Sequence, residues 1–296
     1  MISIIIINFN TPDLTTNCIN SLVEHTKNID YEIIVIDNGS TLKFDISTIK
    51  NSKKIKYIYS EQNLGFTGGN NLGLKYATGE YILLLNSDTI IKENVVKLCF
   101  EEYQKYPKCG ALTPKLISPN GEIQPTANRR PSLRLELRDL FRINKITSKQ
   151  KLANLYLGTR HNYNISTTCD WIYGTFFLIK KDIIDKIFNG EFPNHFFMYG
   201  EDMLWCLLLK KKGYKIIYTP ISSIIHLGGA SMKPIDEEDK YFKYMLPNVF
   251  KTISIIKTKF HATLIILTRI LILLSHFKQD SNNKAKRYWN FLKQEL

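Results

Sequence analysis

Three short runs of apolar, mostly β-branched residues constrain this chain more than any other feature. The first is Ile2 to Ile7, broken only by Ser3; the second is Glu32 to Ile36; the third is Tyr81 to Leu85. Runs this short, without polar alternation, belong to strands buried on both faces, as in a parallel sheet covered by helices. Between them lie segments of helical character. Pro12 to Glu24 has Thr11 placed to cap it and Pro12 at its first position, and Asn70 to Ala77 follows the pair Gly68-Gly69. Strand and helix alternate, which predicts βαβ units on a mostly parallel sheet, with ligands bound beyond the carboxyl ends of the strands.

Each run ends in polar residues: Asn8-Phe9-Asn10, Asp37-Asn38-Gly39-Ser40 and Asn86-Ser87-Asp88. A carboxylate leaving a buried strand, as Asp88 does, is rigidly placed and can hold a hard divalent cation that keeps positions open for phosphate oxygens. The same Asn-Ser-Asp composition also suits a plain strand-ending turn. Asn63 to Asn71 carries Gly65, Gly68 and Gly69 ahead of the second helical segment. Glycines there admit close backbone approach, and unpaired helix N–H groups favour phosphate, although such a pair is also an ordinary loop. Asp37 is placed to accept from a ribose or a base edge, or to close an Asx turn. Glu201-Asp202 begins a helix that runs to Lys212 and stops at Gly213; acids in a first turn suit the helix dipole and could equally supply a general base. His226 ends an apolar run, Ile221 to Ile225, and the glycines after it would let the ring swing onto a metal.

Composition narrows the setting. Cys18, Cys99, Cys109, Cys169 and Cys206 are odd in number and contain no C-x-x-C pair, so they read as reduced thiols rather than zinc or redox centres. The start of the chain shows no basic region and no small-residue cleavage site, and a cytoplasmic protein is expected. Net charge is +13, and residues 240–296 hold eleven Lys or Arg against Asp280 and Glu295. That excess suits phospholipid or nucleic acid, and charge alone does not separate the two. From Pro114 to Pro131 the chain is rich in turns, and five arginines between Arg129 and Arg142 suggest an acceptor-side insertion. Beyond residue 235, Val249, Phe250, Ile253, Ile256, Phe260, Leu264, Leu267, Leu271 and Leu274 recur at helical spacing, while Arg269 keeps the stretch too short to span a bilayer.

Together, Ile7 to Asn10, Asp37 to Ser40, Asn63 to Gly73, Leu85 to Thr89, Gly121 to Gln124 with Arg129 to Ser132, Phe196 to Asp202, and His226 to Ser231 resemble, in order, the motifs of the family-2 glycosyltransferases of GT-A fold. The likeness is to their bacterial rhamnosyltransferase-like branch in particular. It implies an α/β GT-A domain with a C-terminal amphipathic helical extension. Residues 1–115 would form the nucleotide-sugar half, 116–235 the acceptor half, and 236–296 a basic tail. Asn8 and Asp37, with Asn10 and Asn38 beside them, would meet the nucleoside, and Asn63, Gly68, Gly69 and Asn70 would lie along ribose and diphosphate. Asn86 would replace the first acid of the D-x-D element, and Asp88 and His226 would hold Mg²⁺ or Mn²⁺. Asp202 would be the catalytic base with Glu201 as its neighbour, and Trp171 and Gly174 would line the acceptor side. Leu204 and Leu208 stand where the branch carries an Asp and an Arg, so an apolar contact replaces an ion pair.

The activity implied is inverting transfer of a sugar, first choice rhamnose from dTDP-rhamnose and next a UDP-hexose or UDP-N-acetylhexosamine, to a polyprenyl-linked glycan acceptor. The anionic inner face of the cell membrane, and not nucleic acid, is the partner expected for the tail. Two rivals are a sugar nucleotidyltransferase, whose Gly-rich signature does not follow Ile7, and a non-catalytic basic membrane or nucleic-acid binder. The second leaves Asp37, Asp88, Asp202 and His226 unexplained as a set.

Overall fold

The computed structural model describes residues 1–42, 44–49, 55–228, 236–276 and 278–296. The chain forms two compact units, one of residues 1–128 with 162–234 and the other of 129–161 with 235–296. The cut differs from the three segments expected from the sequence, because the arginine-rich stretch from Arg129 belongs with the C-terminal helices.

In the first unit the strands are β1 (Ile2–Asn8), β2 (Tyr31–Asn38), β3 (Ile55–Ser60), β4 (Tyr81–Asn86), β5 (Thr89–Ile91), β6 (Cys109–Ile117), β7 (Ile123–Gln124), β8 (Thr167–Cys169), β9 (Phe176–Lys180) and β10 (Lys215–His226). The helices are α1 (Pro12–His25), α2 (Gly65–Leu74), α3 (Val95–Gln104), α6 (Lys181–Phe188) and α7 (Glu201–Lys211), α4 and α5 lying in the second unit at Leu133–Leu140 and Lys149–Tyr156. Sheet order is β3-β2-β1-β4-β9-β6-β10-β5, with β7 on β6 and β8 on β10. The strands β3, β2, β1 and β4 run parallel, as expected. Beyond β4 the sheet is mixed: β9 is antiparallel to both β4 and β6, and β10 is parallel to β6. The sequence hides this, since a strand buried on both faces has the same apolar composition whichever way it runs.

Register aligns the strand ends. Asn8 lies opposite Asp37, Ile7 opposite Asn86, and Asn38 opposite Ser60, so the polar residues after β1, β2 and β4 share one edge. The core beneath them includes Ile4, Ile6, Val35, Leu83, Leu85, Phe176 and Leu178, all almost fully buried. Local expectations needed three corrections. Thr11 precedes α1, but its hydroxyl does not cap the helix; Thr11 and Thr15 donate instead to Asn8 Oδ1, at 3.5 and 2.9 Å. Helix α2 begins at Gly65, so Gly68 and Gly69 lie inside it rather than ahead of it. The runs at Lys215 and Ile221 are one strand, β10, whose pairing with β6 is irregular between Tyr218 and Ser223.

The second unit is helical. After α4 and α5 it continues with α8 (Glu237–Lys240), a π-helical turn (Tyr241–Met245), α9 (Leu246–Ile256), α10 (Lys259–Leu274) and α11 (Gln279–Glu295). Its core holds Leu246, Phe250, Ile253, Ala262, Ile266, Ile270, Tyr288, Phe291 and Leu292. The single apolar stripe expected across α9 and α10 does not form. The Thr258 hydroxyl accepts from the His261 N–H and starts α10 afresh, so Ala262, Ile266 and Ile270 turn inward while Phe260, Leu271 and Leu274 are 68%, 54% and 46% exposed. Arg269 pairs with buried Glu136 of α4. Among the described residues no helix is long and apolar enough to cross a membrane.

Candidate active site

At the end of β2 the Asp37 carboxylate accepts from the Ser40 N–H, three residues on, at 3.1 Å, which fixes the turn after the strand, and from the Tyr57 hydroxyl at 2.8 Å. Burial, and then this bond to a carboxylate, lifts the Tyr57 phenol above its ordinary value. Asn38 uses its whole amide on the next loop: Nδ2 donates to Asn63 Oδ1 (3.0 Å) and to the Gly65 carbonyl (3.1 Å), and Oδ1 accepts from the Leu64 N–H (3.0 Å). Asn63 Oδ1 also accepts from the Gly65 N–H. Asn10, at φ +55°, accepts through its side-chain oxygen from Thr41 and Leu42. Asn8 is fully buried and donates to Ser40. These asparagines therefore tie together the loops that follow β1, β2 and β3, a role that composition alone does not distinguish from contact with a ligand.

The glycines of α2 are likewise packing residues. A Cβ on Gly69 would come within 3.0 Å of Ile7, and one on Gly73 within 2.5 Å of Ile5, so both let α2 lie close on β1. Gly65, at φ +72°, sits against the Phe197 carbonyl, which accepts from the Phe66 N–H. Asn70 is buried and donates to the Phe66 carbonyl, and Asn71 exchanges two hydrogen bonds with the Phe192 backbone.

Beyond β4 the structure brings Asp88 and His226 together. The imidazole Nε2 lies 3.4 Å from Asp88 Oδ1, and the Leu227 N–H donates to the Asp88 carbonyl. His226 does not swing freely. Its Nδ1 is 2.7 Å from Gln124 Oε1, while Gln124 Nε2 donates to the His226 carbonyl (2.9 Å) and to Ser118 Oγ (3.1 Å). With both amide protons of Gln124 engaged, its oxygen must accept, so His226 carries a proton on Nδ1 and turns Nε2 toward Asp88. The imidazole nitrogen and the carboxylate oxygen that face each other there are the two protein donors that would hold a divalent cation. Among the described residues no cluster of three His, Cys, Asp or Glu side chains forms, so a cation here would take its remaining donors from phosphate oxygens and water. Gln124 stands within one of the family-like motifs, but its role is not legible there, because nothing in the sequence links β7 to the far end of β10. Gly229 to Ser231 of the His226 motif lie outside the described residues.

At the start of α7, Asp202 Oδ2 accepts from the Gly174 N–H at 3.1 Å and Oδ1 from the Met203 N–H at 2.7 Å. Burial lifts this carboxyl above the ordinary carboxylate range, and the two N–H groups hold it back. Burial, and then the charge on Asp202, lifts Glu201 further; its Oε2 is buried without a hydrogen-bond partner. Glu201 faces the interior, whereas Asp202 stays partly accessible. Gly174 also leaves room for the Phe66 ring, 3.0 Å from where a Cβ would stand. Trp171 is half-buried, with its ring 5.5 Å from that of Tyr173. One residue past Gly174, the Thr175 carbonyl accepts from the Asn86 N–H at 3.0 Å, so base candidate and D-x-D turn are joined through adjacent backbone. Leu204 is buried and Leu208 half-buried on α7. All five cysteines are buried and free, and burial pushes the Cys18 thiol, beside Thr89, up to about 12.

Among known proteins, the N-acetylglucosaminyl-diphospho-decaprenol L-rhamnosyltransferase of Mycobacterium tuberculosis is 21% identical over 210 residues, 66% of either chain. Matches to the first curated relatives span only 36% to 66% of those proteins' own length. Of solved structures, GalNAc-T7 with UDP, GalNAc and Mn²⁺ is similar at TM-score 0.58 and 14% identity, over 86% of this chain and 47% of the other. Staphylococcus aureus TarS 1–349 in complex with UDP-GlcNAc is similar at TM-score 0.53 and 16% identity, over 93% and 72%. These likenesses identify the fold as GT-A, as the strand-end motifs implied. Residues 3–188 match the model of glycosyl transferase family 2, and the chain belongs to that family.

Proposed function

We propose that this protein is an inverting glycosyltransferase that moves a sugar from a nucleotide diphosphate to an acceptor hydroxyl, with Asp202 as general base. The observation that carries the reading is the placement of Asp202: a half-buried residue whose carboxylate is fixed by two backbone N–H groups and joined through Gly174 and Thr175 to the turn bearing Asp88. In the step proposed, Asp202 takes the hydroxyl proton, the freed oxygen bonds to the anomeric carbon, and the opposite bond breaks with its electron pair leaving on the diphosphate. Configuration inverts. A divalent cation, Mg²⁺ or Mn²⁺, at Asp88 and His226 would supply positive charge against that diphosphate. Asp37, Asn38 and Asn63 hold the loops that would frame the nucleotide, residues 1–115 forming the donor half and 116–235 most of the acceptor half.

Rhamnose from dTDP-rhamnose is the first donor proposed, supported by the mycobacterial relative's name. A UDP-hexose or UDP-N-acetylhexosamine is second, favoured by the UDP-GlcNAc in the TarS structure. The acceptor is proposed to be a polyprenyl-linked glycan, met at the cytoplasmic face of the membrane, with anionic lipid rather than nucleic acid against the basic C-terminal segment. The exposed Phe260, Leu271 and Leu274 of α10, with Lys257 and Lys259 at its start, support that placement. A thermal-shift panel of nucleotide sugars with and without Mn²⁺ tests the reading: Mn²⁺-dependent stabilisation by one nucleotide class is expected, and none by any nucleotide diphosphate would overturn it.

A further inference from the structure

Helix α7 carries charge only at its ends. From Met203 to Leu209 it is apolar, with Glu201 and Asp202 at one end and Lys210 and Lys211 at the other. Lys210 is half-buried, and its Nζ donates to Asp170 Oδ1 at 2.6 Å and to the Cys169 carbonyl at 2.9 Å. An ammonium group held by a carboxylate and a carbonyl at once is fixed in direction as well as neutralised in charge.

The segment that Lys210 holds runs in step with the helix. Asp202, Cys206 and Lys210, four residues apart on α7, meet Gly174, Ile172 and Asp170, two residues apart on the segment. The Gly174 N–H donates to Asp202 at 3.1 Å, and burial raises the Cys206 thiol while a bond from the Ile172 backbone holds it back. Four helical residues rise about 6 Å and two residues of extended chain about 6.6 Å, so helix and segment stay matched over three rungs. The intervening N–H groups turn the other way: that of Trp171 donates to the Asn128 carbonyl at 3.2 Å and that of Tyr173 to Thr126 Oγ1 at 3.1 Å. Burial alternates too, Ile172 and Gly174 being buried while Trp171 and Tyr173 are half-buried with their rings 5.5 Å apart. One helix thus carries the Asp202 carboxylate in its first turn and, in its last, the clamp on the aromatic segment.

We propose that Lys210 is a positioning residue for the transfer reaction: by holding Asp170 and Cys169 against the last turn of α7, it keeps the Gly174 N–H on the Asp202 carboxylate and sets the distance from that carboxylate to Trp171 and Tyr173. The proposal rests on the reading of Asp202 as general base. Without the Lys210 rung the segment still pairs with Thr126 and Asn128, so what changes is its spacing from α7. The Ile172 and Gly174 N–H groups then part from Cys206 and Asp202, and Asp202 loses one of the two donors that aim it. A misplacement of about 1 Å in a positioned group can cost about 10²-fold in rate.

The test is Lys210→Met, which removes the donor and keeps the apolar stem. In the isotope-labelled full chain, amide hydrogen exchange at Ile172 and Gly174 should quicken by at least about tenfold, the loss of one charge-assisted contact, while Trp171 and Tyr173 keep their parental rates. Release of nucleoside diphosphate from dTDP-rhamnose or UDP-N-acetylglucosamine, with Mn²⁺ present and water as acceptor, should show kcat lowered by about 10- to 10²-fold and donor KM unchanged. Lys210→Arg should bring both readouts back near the parent, and Lys211→Met, at the exposed neighbour, should alter neither. Asp170→Asn spares the bond to the Cys169 carbonyl and should give the same pattern at smaller size, which keeps the test open if Lys210→Met does not fold. Parental exchange at Ile172 and Gly174, a raised donor KM with kcat unchanged, or no rescue by Lys210→Arg would each overturn the proposal. No nucleotide release from either donor by the parent chain would overturn the transferase reading and this proposal together, whereas the exchange result tells against the proposal alone.

Discussion

Replacing Gln124 with Leu tests the metal reading at a residue that would touch no metal. The substitution removes the acceptor 2.7 Å from His226 Nδ1 and both amide donors, to the His226 carbonyl and to Ser118. Without them the ring is free to rotate and to exchange its tautomer, so Nε2 no longer faces Asp88 in every molecule. Partners that orient a metal-bound histidine typically account for about 10- to 100-fold in metal affinity, or about 1.4–2.8 kcal/mol. Mn²⁺ affinity, read by electron paramagnetic resonance in the presence of a nucleoside diphosphate, should fall by that factor, less than in Asp88→Ala and no more than in His226→Ala. Gln124→Glu keeps an acceptor for Nδ1 while losing the donors, so it should retain most of the affinity. If Gln124→Leu bound Mn²⁺ as the parent does while His226→Ala lost it, the orienting role would be refuted. If neither changed, His226 would not be a ligand.

Asp202→Asn should lower transfer by about 10² to 10⁴ with donor affinity retained, checked by steady-state rates beside direct nucleotide titration. Because both Asp202 oxygens accept backbone N–H groups and an amide can serve only one, the same variant should also lose stability, by about 1–3 kcal/mol, visible in urea melts. As the proposed base Asp202 would have to be ionised, and burial raises its carboxyl, so the acid limb of kcat/KM should fall at a pH above the ordinary carboxylate range, with rate rising as pH rises. Glu201 is raised too, so the folded state keeps a proton that the unfolded chain has released: its contribution is full below the ordinary carboxylate range and is lost as pH rises toward the folded value. Melting temperature should therefore decline across that window, and Glu201→Gln should flatten the decline. Arg269→Met should destabilise by leaving buried Glu136 unpaired, by less than the loss of a fully buried pair because the Arg269 side chain is 41% exposed, and adding Glu136→Leu should recover most of it in denaturant melts. Phe260→Ser with Leu271→Ser should reduce flotation with anionic vesicles, and parental flotation would count against the membrane placement.

The parts of this molecule that were legible in the sequence are those set by local chemistry. Apolar runs identified β1, β2 and β4, Pro12 marked the start of α1, and Gly213 the end of α7, because burial and backbone freedom act on residues one at a time. Strand direction beyond β4 was not legible, nor was the pairing of Arg129–His161 with the C-terminal helices, since both depend on contacts between residues far apart in the chain. The same limit governs the site. Asp88, Asp202 and His226 stood out as acids or imidazole beside turns. What Asn38, Gly69 and Gln124 do is decided by partners 25 to 102 positions away or by a neighbouring strand, and their composition suits a ligand contact as well as a structural bond.

Distance in sequence also explains how a base and a cation site could keep a fixed relation. Asp202 is aimed by the Gly174 N–H, and Gly174 is placed by the pairing of β9 with β4, where Leu85 lies opposite Phe176 and the Asn86 N–H reaches the Thr175 carbonyl. A slip of one residue in that ladder would turn every β9 side chain to the opposite face of the sheet. Leu83, Leu84 and Leu85 and Phe176, Phe177 and Leu178 are all almost fully buried, so both faces of the ladder resist the slip. In β4 and β9 the apolar runs therefore do more than fill a core: they hold the Asp202 loop at one spacing from the Asp88 turn. Shortening Phe176 or Phe177 should then disturb transfer through the position of Asp202, the proposed base, while a conservative change on the outer strand β3 should not.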